Sequence, residues 1–229
     1  MKNLIVFVLI ISLSSFISVN GKDIEIALEA ELAQKIKEPM IVDDDDVGKN
    51  ASNGKFIWME GKPKEGGGGR GWAEFIINLP ESGKYALWGH VTAWDGNSDS
   101  FWVTWQPADP NEDAQATQNK QFRWGVAGGP VWHWDRINHW LDAGTFDREW
   151  KFKKDVILKG GDTVLRIAVR EDATMLDAIF VTSNVKAKAP GEANVRLPTK
   201  KDIKIQVEGL AVNQKEKITT TWAKIKSLP

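Results

Sequence analysis

Residues 24–32 read IEIALEAEL, a run in which apolar and acidic side chains alternate. Successive side chains of an extended chain point to opposite sides, so Ile24, Ile26, Leu28, Ala30 and Leu32 share one face and Glu25, Glu29 and Glu31 the other. That period belongs to a half-buried strand. The same rhythm recurs at Lys55–Glu60, Gly71–Leu79, Lys84–Thr92, Ser100–Gln106, Trp132–Asn138, Trp150–Leu158, Asp162–Arg170 and Met175–Thr182. Turn formers separate these runs: NGK at 53–55, PESG at 80–83, DGNSD at 95–99 and KGGD at 159–162. No window in this region keeps an apolar stripe at helical spacing for several turns. The pattern predicts an all-β sandwich of roughly nine antiparallel strands and disfavours an α/β fold.

The chain has 229 residues, which suits one such domain with a sizeable core and a small appendage. Residues 1–21 read as a signal peptide: Lys2 gives a positive start, LIVFVLIISL an apolar run, and Val19 and Gly21 small residues before a cut. Leu4–Leu13 is about half of the roughly 20 apolar residues that span a bilayer, which favours cleavage over anchoring. The sandwich is expected over residues 22–185, a linker over 186–200 (KAKAPGEANVRLPTK), and a C-terminal tail over 201–229 in which IKIQV forms a short strand. Formal net charge is -1, with both signs mixed along the chain, so no basic field attracts nucleic acid or an acidic membrane. There is no cysteine, so packing, alone or with a metal, must supply the stability that disulfides give many exported domains.

Glu29 and Glu31 lie about 7 Å apart on one strand face. Alone, the pair fits either a solvated outer face or part of a cation site, since calcium takes 6–8 oxygen ligands. Asp177, in MLDAIFVT at 175–182, points away from the face shared by Leu176, Ala178 and Phe180. First and last strands are neighbours in many sandwiches, and an acid opposite two glutamates is a clash unless a cation joins them. DDDD at 43–46 reads as a solvated loop, GGGG at 66–69 as a flexible loop, and NAS at 50–52 as a formal glycosylation acceptor.

The chain has twelve tryptophans, four of them in RWGVAGGPVWHWDRINHW at 123–140. Trp88, Trp102 or Trp105, and Trp150 sit inside alternating runs and are expected in packing. Trp132 and Trp134 share a face, and either pack a sheet or line a groove. Trp94, flanked by DGNSD, is expected to be exposed, as aromatic side chains on loops mark binding surfaces.

ALEAELA, ASNGKFIWM, LPESGKYALWGHV, the tryptophan segment and KGGDTVLRIAVREDATMLDAIFVT follow one another as do the blocks of carbohydrate-binding modules of families 6 and 35, which residues 24–183 resemble. The resemblance implies a galactose-binding-like jelly-roll sandwich with a structural calcium ion. Its ligands correspond to Glu29, Glu31, the turn around Ser52–Lys55, and Asp177. It also implies a sugar site in loops at one end, with Trp94 and Trp132 in the aromatic roles. Trp134 shares the face of Trp132; Asp95, Asn97, Asp99, Arg170, Glu171 and Asp172 supply polar groups to hydroxyls. A flat indole covers the C–H face of a pyranose with little rotamer entropy to lose. Two departures stand out: the tryptophans of WHW are one residue apart, and Ala173 and Thr174 stand where family 6 often has an asparagine.

Three histidines and no cysteine, with no Gly-x-Ser-x-Gly turn, give nucleophilic catalysis little support. The chain therefore reads as an exported, non-catalytic module whose partner is a polysaccharide or glycoconjugate, with a separate carbohydrate-active enzyme or a surface protein as a further partner. Nucleic acid is excluded as a partner, and so is membrane once the signal is cut. Two alternatives stay open: an adhesive sandwich that binds protein through its tryptophan surface, and a small polysaccharide-cleaving enzyme using two carboxyls about 5–9.5 Å apart.

Overall fold

The computed structural model describes residues 22–62, 68–105, 123–126, 128–137 and 160–209. The expected signal peptide, the expected strand Trp150–Leu158, Trp140, Trp222 and the tail beyond residue 209 lie outside them. Eleven strands run through the described residues: β1 (Glu25–Glu29), β2 (Lys35–Lys37), β3 (Met40–Asp43), β4 (Phe56–Met59), β5 (Trp72–Leu79), β6 (Ala86–Ala93), β7 (Ser100–Trp105), β8 (Arg123–Gly125), β9 (Gly129–Arg136), β10 (Gly161–Val169) and β11 (Met175–Thr182). They form a β-sandwich of two antiparallel sheets. The first has the order β3-β4-β11-β6-β9, with β1 also on β11; the second has the order β2-β5-β10-β7-β8. β1 and β4 share one edge of β11 end to end, β1 from Glu25↔Thr182 to Glu29↔Ala178 and β4 at Leu176↔Ile57.

The inner faces alternate as the sequence pattern predicts. Leu28, Ile57, Leu87 and Val91 of the first sheet meet Phe75, Ile77, Phe101, Val103, Leu165 and Ile167 of the second, all buried. Full burial of each such side chain stabilises by about 1.5–3 kcal/mol. Trp124 fills the core between them, its ring 5.5 Å from that of Phe101. Gly89 makes room for it: a Cβ there would stand 2.1 Å from the indole Cη2. On the outer face of the second sheet, Arg166 pairs across strands with Glu74 at 2.6 Å and lies 4.6 Å from the centre of the Trp72 ring.

Several expectations are corrected. β1 ends at Glu29, and Ala30–Leu32 turn as a 3-10 helix, so Glu31 leaves the two-residue rhythm. A β-bulge at Asp177 shifts the register between Leu176 and Ala178. The bulge flips the parity, so Leu176 shares the core with Ile179 and Val181, while Phe180 turns to the outer face. Trp102 is not a core residue: Phe101 and Val103 face inward, and Trp102 lies half-buried outside, 5.7 Å beneath the Arg170 guanidinium. Strands β2, β3 and β8 were not expected.

The expected linker and strand at the C-terminal end are also corrected. Residues 185–195 pack on the outer face of the first sheet, where Ala187 and Ala193 are buried against Ala27, Trp88 and Phe180. Arg136 fastens this segment by donating to the carbonyls of Val185 and Ala187, both at 2.9 Å. Residues 200–209 form a helix, α1, where IKIQV was expected to be a strand. Thr199 and Asp202 cap it reciprocally: Thr199 N donates to Asp202 Oδ2 at 2.8 Å and Asp202 N to Thr199 Oγ1 at 3.3 Å. Burial opposes ionisation of Asp202, but the bonds from Arg196 and Thr199 outweigh it and hold the carboxyl at about 2.

Candidate functional site

Three acids gather where β1 ends against the bulge of β11. Ser52 Oγ donates to Glu29 Oε1 at 2.9 Å and Asn53 Nδ2 to Glu31 Oε1 at 3.0 Å. Both donors belong to the 3-10 turn Ser52–Gly54, in which Asn53 takes a left-handed conformation with φ 51°. Asp177 Oδ2 accepts from His90 Nδ1 at 2.5 Å. The other oxygen of each acid, Glu29 Oε2, Glu31 Oε2 and Asp177 Oδ1, is buried with no hydrogen-bond partner among the described residues. Burial, then Glu31 and Asp177, push the Glu29 carboxyl up to about 7. Burial and Asp177 also raise that of Glu31, against the bond from Asn53. Three clustered carboxyl groups with unmatched oxygens match the needs of a hard cation, which takes oxygen ligands and offsets the repulsion among them.

The carboxylate oxygens of Asp43, Asp44 and Asp45 also lie within 4.8 Å of one another. Asp43 spends both oxygens locally, however. Oδ1 accepts from the backbone of Asp44 and Asp45 at 2.7 and 3.1 Å, and Oδ2 from Trp58 Nε1 at 2.8 Å. This run caps its own loop, as a solvated acidic loop does.

Beside the three acids, the outer face of the first sheet is aromatic. Trp132 stacks on His90, centroids 5.5 Å apart and planes 23° apart, and Trp134 lies tilted on it at 5.0 Å. The two rings share a face, as their spacing predicts, but enter different clusters. Trp134 packs with Trp88, Phe180 and the 185–195 segment, whereas Trp132 packs with Phe56, Trp58, Ala173 and Met175. Trp132 Nε1 donates to the carbonyls of Gly48 and Lys49 at 3.3 and 3.1 Å. Trp132 is thus an anchored ring with its polar edge already bonded.

Trp94 joins the same cluster as Trp132. It is half-buried rather than exposed, and it opens the β6–β7 loop at one end of the sandwich. That loop is tied to the β10–β11 loop: Asp99 N and Ser100 Oγ donate to Glu171 Oε2 at 3.1 and 2.5 Å, and Arg170 Nη1 donates to Ser100 Oγ at 2.5 Å and to Glu171 Oε1. Burial and the adjoining Glu171 push the Asp99 carboxyl up to about 6, while Arg170 opposes the shift. Asp95 Oδ1 accepts from Asn97 N at 2.8 Å, and Asn97 itself is exposed. On these joined loops, Trp94 Nε1, Asp95 Oδ2, Ser98 Oγ, Asp172 Oδ1 and Thr174 Oγ1 are buried without partners among the described residues.

The fold therefore gathers the expected ligand residues Trp94, Asp95, Asn97, Asp99, Arg170 and Asp172 on two joined loops, with Trp132 adjacent. It sets Trp134 apart, in the other cluster. It also brings Glu29, Glu31 and Asp177 together at the end of β1. Sequence reasoning missed His90, Ser98 and Gln206. In LWGHVTA, His90 alternates with Trp88 and Thr92, and that lone polar ring on an outer face was its signal.

No family model matches the chain, and no curated protein matches it. Among solved structures it is similar to the native family 35 carbohydrate-binding module from Clostridium thermocellum, at 15% identity and a TM-score of 0.44, covering 70% of this chain and 98% of that one. It is similar to the isomalto-dextranase of Arthrobacter globiformis T6 complexed with panose, at 13% identity and a TM-score of 0.45, covering 69% of this chain and 23% of that one. It is likewise similar to the family 35 module from Paenibacillus barcinonensis, at 12% identity and a TM-score of 0.39, covering 68% and 96%. These likenesses are of fold.

Proposed function

We propose that the chain is an exported, non-catalytic carbohydrate-binding module whose ligand site lies on the loops 94–99 and 170–174. The observation that carries this reading is the set of buried, unpartnered polar atoms beside Trp94. Donors and acceptors mixed around an indole suit a pyranose, which presents hydroxyls at its rim and C–H groups on its face. The ordered resemblance of the sequence blocks points the same way. A glycan array followed by affinity electrophoresis tests it. Wild type should bind a defined glycan, and Trp94→Ala should weaken that binding by about thirtyfold, the ~2 kcal/mol of a central aromatic anchor. Absence of binding to every glycan, or binding that Trp94→Ala leaves unchanged, refutes the site. A protein ligand that no saccharide displaces would favour the adhesive alternative.

The second part of the proposal is a structural calcium ion held by Glu29, Glu31 and Asp177, with the Ser52–Lys55 turn beside them. Its support is the three orphaned carboxylate oxygens and the raised Glu29 and Glu31 carboxyls. An ion there would neutralise charge among three clustered acids, on which Lys55 acts only weakly, as the smallest of the influences on Glu31. The chain's part is to hold each glutamate by its other oxygen, through Ser52 and Asn53. The export reading predicts a secreted chain that begins at Lys22, which N-terminal sequencing checks.

A further inference from the structure

We infer that His90 is a positioning residue that couples cation occupancy at Glu29, Glu31 and Asp177 to the tryptophan face made by Trp132 and Trp134. The inference rests on the calcium reading above and adds a path to it. His90 is 9% exposed. Its Nδ1 lies 2.5 Å from Asp177 Oδ2, and an ionised carboxylate only accepts, so Nδ1 carries the proton. Asp177 stands at the bulge of β11 and acts electrostatically on both glutamates, and its second oxygen, Oδ1, is buried without a partner among the described residues. One carboxylate thus has two ends: Oδ1 for the ion and Oδ2 for the imidazole.

The imidazole in turn sets two rings. Trp132 is stacked on it at 5.5 Å and Trp134 tilted against it at 5.0 Å. Both tryptophans stand on β9, and Trp134 is directly opposite His90 in the ladder. An ion that fixes Asp177 therefore fixes the plane of His90, and so the surface on which the indoles lie. Groups that bond a ligating carboxylate from outside commonly contribute ten- to hundredfold to metal affinity. Trp132 also reaches the Gly48 and Lys49 carbonyls, so a shift of its ring is felt in the loop leading to Ser52.

Two readouts on the full chain test the coupling: calorimetric titration of calcium into chelator-stripped protein, and the indole N–H NMR resonances of Trp132 and Trp134, assigned by Trp132→Phe and Trp134→Phe. In wild type both resonances should move in step with calcium binding. His90→Phe keeps a ring but removes the donor; it should weaken calcium binding about ten- to hundredfold and abolish the step. His90→Asn keeps a donor near the Nδ1 position without the ring, so it should restore most of the affinity and still lose the indole response. His90→Phe that binds calcium as tightly as wild type, with the resonances moving as before, overturns the inference. Should His90→Phe not fold, a full indole response in His90→Asn overturns it equally. A wild type that binds no calcium instead removes the calcium reading itself, which keeps the two failures apart.

Discussion

Asp99 and Glu171 sit close enough to share a proton, and that has a consequence with a definite sign. The folded Asp99 carboxyl is pushed from its ordinary 3.8 to about 6 by burial and by Glu171. The folded state therefore holds this proton more tightly than the unfolded chain. The stability it contributes is full below about pH 3.8 and is lost as pH rises through about 6. Chemical denaturation midpoints should fall across that window, and Asp99→Asn should remove part of the fall; identical slopes in the two proteins would contradict the assignment. Gly89 makes a second residue-scale prediction. A methyl group there meets the fully buried Trp124 ring, so Gly89→Ala should cost about 1–3 kcal/mol by calorimetry. Trp124→Phe in the same chain should recover part of that loss.

Elements were legible in the sequence wherever burial followed a strict period. WAEFIINL turns Ala73, Phe75, Ile77 and Leu79 into the core and forms the strand that the pattern predicts, whereas IEIALEAEL does so only as far as Glu29. The rule failed in MLDAIFVT because one extra residue at Asp177 inverted the faces, and no alternation encodes a bulge. It failed again at 200–209. Ile203, Ile205 and Val207 alternate, yet Ile205 and Val207 are 59% and 45% exposed, while the caps at Thr199 and Asp202 start a helix whose buried residue is Gln206. The three acids were named together only through the resemblance of the sequence blocks, since alternation alone left Glu29 and Glu31 equally suited to a solvated face. The same resemblance named the turn around Ser52–Lys55, but not the side-chain bonds from Ser52 and Asn53 nor His90, which reach the acids only across the fold.

Helix α1 is tied to the turn after β1 by the side chain of Gln206. Gln206 Oε1 accepts from Glu29 N at 3.0 Å, and Gln206 Nε2 donates to the carbonyls of Glu29 and Leu32 at 3.0 and 3.2 Å. It thereby satisfies the backbone of the turn that carries both glutamates. Gln206→Ala leaves those buried groups unpaired, which should cost about 1–3 kcal/mol. Amide exchange at Glu29 N should quicken well before exchange in the core strands. Gln206→Glu restores only the acceptor, so it should recover protection at Glu29 N without recovering the lost stability.

At the scale of the whole molecule, the proposed ion and the sandwich stabilise each other by mass action. Calcium at a hundred times its Kd should raise stability by about 2.7 kcal/mol, which is roughly 5–11 °C in Tm for a domain of this size. Exhaustive chelation should reverse the shift, and an unchanged melting curve, with no metal found by elemental analysis, would refute the site. The same architecture also governs how the chain is made. The partner of Glu25 is Thr182, so β1 waits for more than 150 further residues to be made before the edge it pairs with exists. Until Met175–Thr182 emerges, β4, β6 and β1 have no common neighbour, and the nascent sheet presents open, apolar edges. Closure is a long-range event, and until β11 emerges the newborn chain depends on whatever shields those edges from one another.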